Sequence, residues 1–416
     1  RPPVGGCAPR GLARGGGGGR APPPPRHGDR PGATPLGGNG QRGGGGRFFG
    51  ERYAGGRFWG EWGDWQRESG RSLDGADLLM DRVVATLRGQ RWAASETSFE
   101  FTEVCERTGA AMAGGGVSAA VVGWGHHART AIVPNLPPQI SVRWVHELDP
   151  LAADAPDGAV VDTAPILRDD VRPNVVFAAG FHATHAPVAV SALARGAYVV
   201  SEKPLATTRA QLAALLDAWR EPSRYFAAFH KRYSPFNEWL RTDLGTVEHG
   251  PMSYYCVVHE ITTPRRHWYR WPSAGSRILS NGCHWIDHFL FLNDFSDVES
   301  FEARRAPDGS YLCDVSLVNG SFFHMVLTDR GSDRLGMREH VEVRTAGRTA
   351  TISDAREYQS ETDRRLLRRA KLNKLAAHAA MYRTIGDAIV RGAAGDSRQS
   401  VERSARLVLD LEEGLG

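Results

Sequence analysis

Cysteine is scarce and scattered in this chain. Its 416 residues include five cysteines, Cys7, Cys105, Cys256, Cys283 and Cys313. They form no CxxC pair and no Cys/His finger spacing, so the sequence indicates neither a disulfide framework nor a structural zinc site. Long apolar runs are missing as well. No stretch approaches the roughly 18 consecutive apolar residues of a membrane-spanning helix, and the N-terminus lacks the apolar centre of a signal peptide. These absences lead us to expect a protein of the reducing cytoplasm, neither secreted nor inserted in a membrane. The formal charge is only +4, and arginines of the N-terminal stretch supply part of that excess. No large basic face is inferred, and a nucleic-acid partner is not expected. No internal repeat is present.

Composition changes sharply along the chain. Residues 1–75 are built largely of Gly, Pro and Arg, a mixture that cannot bury enough apolar surface to offset its ordering entropy, and they are expected to be disordered. Arg-Gly clusters beside aromatics, as in Gly56-Arg57-Phe58-Trp59, would suit single-stranded nucleic acid, but a low-complexity extension explains them with fewer assumptions. Residues 76–115 form a short lead-in, where Ala76, Leu79, Met80, Val83, Val84 and Leu87 recur at helical spacing. Met112 stands just before the first strand and is the expected natural start. The remaining length suits two globular domains, expected at 116–235 and 236–416.

The run Val117-Ser118-Ala119-Ala120-Val121-Val122 reads as a buried parallel strand, and Gly123-Trp124-Gly125-His126-His127-Ala128 follows at once. In a strand–turn–helix of this kind Gly123 permits a tight turn and Gly125 lets a pyrophosphate approach the backbone. Ala128 allows close helix packing, and amides from His126 and His127 onward point at the phosphates. A second strand over Val142–His146 ends in Glu147, about twenty residues past the turn, where an acid accepts hydrogen bonds from the adenosine ribose. A carboxylate there repels a 2′-phosphate, so NAD is expected over NADP. Further strands at Asn174–Ala179 and Tyr198–Val200, with a helical run between them, complete the pattern of a doubly wound parallel sheet.

After the last of these strands comes Ser201-Glu202-Lys203-Pro204-Leu205. Together with the glycine turn, Glu147, the Gly180–His185 loop, Phe229-His230-Lys231-Arg232-Tyr233-Ser234-Pro235 and Ser280-Asn281-Gly282-Cys283-His284-Trp285-Ile286-Asp287, this segment makes the chain resemble the glucose-fructose oxidoreductase, inositol dehydrogenase and rhizopine catabolism (Gfo/Idh/MocA) family over roughly residues 116–414. The resemblance implies an N-terminal Rossmann domain and a C-terminal α/β domain with an open, mostly antiparallel sheet. Short β-rich runs from Met252 to Ile352 fit that sheet, and helices are expected near 362–391 and 398–414. A homo-oligomer formed through the open sheet is implied by the same resemblance.

The resemblance also implies chemistry: hydride transfer between nicotinamide and a carbinol or carbonyl carbon of a sugar, nucleotide sugar or cyclitol. Lys203 would hydrogen-bond the substrate oxygen, His284 would serve as general acid/base, and Asp287 would orient the site. Gly180, His182, His185, Glu202 and Lys203 would line the cofactor, with Pro204 shaping the turn beside Lys203 as a cis peptide. Arg232, Arg270 and Asn281 are candidate substrate contacts, and the aromatic segment His267–Pro272 would stack on a ring. No metal is needed. One position departs from the family: Ser280 stands where many members carry Asp, and a hydroxyl is no carboxylate base. That departure keeps a non-catalytic dinucleotide-binding regulator open, and the resemblance leaves redox-neutral NAD-assisted glycoside chemistry as a further alternative.

Overall fold

The computed structural model describes residues 116–149, 154–245, 250–265, 267–332 and 334–415. The Gly/Pro/Arg-rich stretch, the helical lead-in, Met112, Cys7 and Cys105 lie outside the described residues. Strands β1 (Val117–Val122), β2 (Ile140–His146), β3 (Val160–Asp162), β4 (Val175–Ala178), β5 (Tyr198–Ser201) and β6 (Tyr225–Ala227) form one parallel sheet in the order β3-β2-β1-β4-β5-β6. Every residue of β4 and β5 is buried, as a parallel sheet covered on both faces requires. The strand order reverses between β1 and β4, and the crevice at such a reversal is where ligands bind in doubly wound sheets.

The α-helices are α1 (His185–Ala194), α2 (Arg209–Asp217), α3 (Phe236–Leu244), α4 (Cys283–Leu292), α5 (Ala376–Val390) and α6 (Arg398–Glu413). On one face of the parallel sheet, Val188, Ala189, Leu212 and Leu215 of α1 and α2 join a core with Ala120, Val122 and Val176. The other face is covered from the far end of the chain: Met381, Tyr382, Ile385 and Ile389 of α5 pack with Val121, Val175 and Phe177. The helix after the glycine turn is short. It runs as a π-helical turn, Ala128–Ile132, into a 3-10 turn, Val133–Asn135. Pro134, Pro137 and Pro138 follow closely, and none of them has an amide to continue it.

The second sheet has eight strands: β7 (Ser253–Ile261), β8 (Val298–Arg305), β9 (Tyr311–Leu317), β10 (Phe322–Gly331), β11 (Arg338–Thr345), β12 (Arg348–Ser353), β13 (Glu357–Thr362) and β14 (Leu366–Lys371), in the order β14-β13-β12-β11-β7-β10-β9-β8. All its ladders are antiparallel except β7 with β10. β7 and β9 alternate buried and open positions, so one face meets α4 and α6 while the other stays open. The helix expected from residue 362 begins at Ala376 instead. Leu366–Lys371 is built of good helix formers, yet it pairs with β13 as an edge strand, and Arg368 bonds the buried Asp243 carboxylate at 3.0 and 3.2 Å.

One ion pair ties α4 to the return from the parallel sheet. Arg232, just after β6, meets Asp287 of α4 with Nε–Oδ2 at 2.9 Å and Nη2–Oδ1 at 2.6 Å. Ser404 of α6 donates to the same carboxylate at 2.6 Å, and Asp287 is 0% exposed. Asp287→Ala would leave the Arg232 guanidinium buried with only Asp396, 3.4 Å away, as its counter-charge. The variant should lose about 3–5 kcal/mol of stability, read from the midpoint shift in equilibrium denaturation. A shift below roughly 1 kcal/mol would contradict a structural role.

Candidate active site

The crevice begins with backbone geometry. Gly123 has φ +96°, a conformation that glycine adopts without strain, and a Cβ there would come within 2.4 Å of the Gly180 Cα. The glycine turn and the loop after β4 therefore touch backbone to backbone. At Gly125 the place of a Cβ is open, with no atom within 4 Å. Glu147 leaves the end of β2 and turns its carboxylate to this loop, accepting from the Trp124 amide at 2.7 Å and the Asp149 amide at 3.1 Å. An open approach at Gly125 beside a carboxylate able to accept ribose hydroxyls fits a dinucleotide.

The opposite wall starts at β5. Lys203 and Pro204 are joined by a cis peptide bond, as expected. Glu202 is buried beneath the turn, where Tyr382 donates to it and His127 Nε2 lies 3.2 Å away. Burial opposes its ionisation, but His127, the Tyr382 hydroxyl and Lys203 outweigh it and bring the Glu202 carboxyl down to about 2. Lys203 Nζ donates to the Ser280 carbonyl at 3.0 Å. Ser280 lies in a π-helical turn, Ile278–Gly282, that runs directly into α4, so this bond sets the ammonium one turn before His284. Burial pulls the Lys203 pKa down, but Tyr269, Cys283, Glu202 and Glu260 prevail and hold it above the usual lysine value. Lys203 is thus a permanent cation.

His284 is the opposite case. It is 6% exposed, and its Nδ1 is buried without a hydrogen-bond partner. Burial first, then the positive charge of Lys203 and Lys231, pushes it well below the ordinary histidine value, so the ring is neutral. Two residues that sequence reasoning did not assign complete its surroundings: His230 has its ring 4.3 Å from His284, and His378 of α5 stacks on His230 at 3.8 Å. His230 was visible in the Phe229–Pro235 motif. His378 gave no signal, because α5 lies far from both His230 and His284 in the sequence.

Several expected contacts have other partners. Asp287 and Arg232 are occupied by each other, so Arg232 is a structural cation and Asp287 positions α4 from behind the site. His185 bridges two carbonyls, with Nδ1 3.0 Å from Pro204 O and Nε2 3.0 Å from Gly180 O, and so ties the two loops together. His182 is 2% exposed; its Nδ1 lies 3.1 Å from Ala274 O and its ring 4.7 Å from Trp268. It packs on the aromatic segment. Arg270 donates to the Thr263 carbonyl at 2.9 and 3.1 Å, and Asn281 is half-buried with its amide 3.9 Å from the Met337 sulfur. Trp268, Tyr269 and Trp271 form a cluster with Phe181 and His182. Among the described residues, no group of three or more His, Cys, Asp or Glu is placed to hold a metal ion, and no helix is long and apolar enough to cross a membrane.

Residues 118–230 match the family model described as "Oxidoreductase family, NAD-binding Rossmann fold". Over those residues the chain is similar to the Gfo/Idh/MocA oxidoreductases. A trans-1,2-dihydrobenzene-1,2-diol dehydrogenase of Xenopus laevis is 29% identical over 145 residues, which are 33% of this chain and 42% of that protein. The match therefore spans less than half the length of that relative. Among solved structures, levoglucosan dehydrogenase in complex with NADH and levoglucosan is similar with a TM-score of 0.58 and 16% identity, covering 72% of this chain and 96% of that one. GenD2 from gentamicin A biosynthesis, in complex with NAD, gives 0.57 and 20% over 73% and 93%. KijD10, a 3-ketoreductase from Actinomadura kijaniata in complex with NADP and TDP-benzene, gives 0.57 and 18% over 72% and 98%. These likenesses establish the α/β fold, and the matched model is that of an NAD-binding Rossmann fold.

The glycine turn makes a paired prediction. Gly125→Ala should fold with unchanged stability, because its methyl enters open space, yet lower NADH affinity at least about tenfold by blocking the pyrophosphate approach. Gly123→Ala should destabilise the protein as well, because its methyl meets the Gly180 backbone. Fluorescence titration with NADH and thermal melts separate the two. Equal NADH affinity in Gly125→Ala and wild type would contradict the assignment.

Proposed function

We propose that this protein is a dehydrogenase or reductase that moves hydride between NAD and a carbinol or carbonyl carbon of a small sugar-like or cyclitol substrate. The observation that carries the reading is the bond from Lys203 Nζ to the Ser280 carbonyl, which brings a permanent cation and the neutral His284 to one end of the crevice. Gly123, Gly125 and the amides beyond His126 would hold the pyrophosphate, and Glu147 the adenosine ribose. NAD is preferred because the Glu147 carboxylate, already bonded to the Trp124 amide, repels a 2′-phosphate. When bound, nicotinamide accepts or supplies the hydride.

The chain's own residues manage the proton. In the oxidative direction Lys203 donates a hydrogen bond to the substrate oxygen and stabilises the negative charge that grows on it. The neutral imidazole of His284 accepts the hydroxyl proton, and in the reductive direction returns it. No carboxylate sits at Ser280 to share this work, so His284 acts with Lys203 alone. The relatives support the substrate class: one is a dehydrogenase of a cyclic diol, another is solved with an anhydrosugar. The open face of the eight-stranded sheet, with Tyr255 37% and Val257 41% exposed, is the surface through which copies of the chain would associate. We place the protein in the cytoplasm, where the free thiols of Cys256, Cys283 and Cys313 would stay reduced.

Lys203→Met should abolish turnover while NADH affinity stays within about twofold. His284→Asn should lower kcat by roughly 10²–10⁴. Because His284 titrates well below 6.5, its base form persists as the pH falls through 6.5, and the acid limb of kcat/KM for oxidation should lie below that value. Retained turnover in Lys203→Met, or an acid limb above 6.5 that His284→Asn leaves in place, would remove these roles.

A further inference from the structure

Arg277, Ser280 and His284 lie on the segment that opens α4, with Arg277 at the start of the π-helical turn Ile278–Gly282, Ser280 within it and His284 in the first turn of the helix. Each carries buried polar atoms without a hydrogen-bond partner: Nε and Nη1 of Arg277, Oγ of Ser280 and Nδ1 of His284. Buried polar atoms are nearly always bonded, and a row of them beside Lys203 points to a polar ligand. Across from Arg277 stands Glu260, two per cent exposed, whose Oε2 pairs with Nη2 of the guanidinium and whose Oε1 is buried without a hydrogen-bond partner. The face of Tyr269 covers the guanidinium at 5.3 Å and fixes its plane. Glu260 comes from β7, so the pair closes the row between the second sheet and the site helix.

We infer that Arg277 and Glu260 form a specificity pair that takes a neutral hydroxyl group of the substrate at the end of the row away from His284. The reason is the donor and acceptor character of the pair. Arg277 offers only donors and Glu260 only acceptors, and a hydroxyl is the small group that satisfies both, accepting from one and donating to the other. A carboxylate or phosphate would bond Arg277 but meet the Glu260 charge; an ammonium would bond Glu260 but meet Arg277 and Lys203. Each charged substituent leaves one buried ion opposed, and such a mismatch is rejected far more strongly than a missing methylene. Burial also pushes the Glu260 carboxyl up against the opposing pull of Arg277 and Lys203, so a hydroxyl that donates to its carboxylate relieves a poorly solvated charge. The substrate is then a polyhydroxylated ring without charge near this end. The inference rests on the oxidoreductase reading above and narrows its substrate class.

The test uses the full chain saturated with NADH. Binding of neutral probes (myo-inositol, D-glucose, levoglucosan) and of charged ones (D-glucuronate, D-glucosamine) is measured by calorimetry. At least one neutral probe should bind at least about tenfold more tightly than either charged probe. Glu260→Gln should weaken that neutral probe about tenfold and admit D-glucuronate, with NADH affinity within twofold of wild type. Because an unpaired Arg277 destabilises folding, the double variant Glu260→Gln/Arg277→Gln serves as a second arm, and should bind neutral and charged probes within about threefold of one another. A charged probe bound as tightly as every neutral one, no probe bound to the NADH complex, or undiminished discrimination in the double variant would overturn the inference. Failure of the wild-type chain to bind NADH would instead overturn the oxidoreductase reading beneath it.

Discussion

The buried pair of Arg232 and Asp287 is the interaction on which the arrangement of the site depends. It joins the segment that leaves the parallel sheet to the helix that carries His284, and Ser404 adds the C-terminal helix to the same carboxylate. His230 and Lys231 directly precede Arg232, so the register of the pair also decides where the His230 ring meets His284. Such a pair contributes little net stability over apolar residues of equal size. Its value lies in specifying one relative placement of the three segments, because any other leaves a charge alone in the core.

The cations around the crevice divide by partner. Arg232 faces Asp287, Lys231 faces Glu339 at 2.8 and 3.0 Å, and Arg277 faces Glu260. Lys203 differs, since it donates to a neutral carbonyl while carboxylates act on it from a distance. A charge held by a carbonyl is cheaper to redirect toward a ligand oxygen than one locked in a bidentate ion pair. Under the proposed function, that contrast lets four buried or half-buried cations on neighbouring segments take different roles, three of them structural or selective and one aimed at chemistry. It also explains why Ser280 is tolerated: its backbone carbonyl, which any residue supplies, does the positioning of Lys203.

What the sequence revealed was what short-range patterns encode. The glycine turn, the apolar strands, Glu147 at a strand end and the Glu202-Lys203-Pro204 turn each lie within a few residues, and their backbone geometry follows from local composition. The roles of Asp287, Arg232, His182 and His185 were not legible, because their partners are distant in sequence or are backbone carbonyls whose position only the fold decides. Leu366–Lys371 misled for a related reason: its helical propensity is real, but pairing with β13 and the Asp243 carboxylate outweighs it. Glu260 was within reach. Tyr254, Cys256 and Val258 alternate with open positions along β7, and the same period places Glu260 on the buried face, where a carboxylate calls for a partner.

The central claim is that the dinucleotide crevice and the Lys203–His284 pair form one reaction site. A crystal structure of the full chain with NADH tests it most directly. The account predicts the pyrophosphate against Gly125 and His126, the adenosine ribose on Glu147, and the nicotinamide ring beside Lys203 with His284 within reach of the same substrate oxygen. A dinucleotide bound elsewhere, or one whose nicotinamide points away from Lys203, would contradict it.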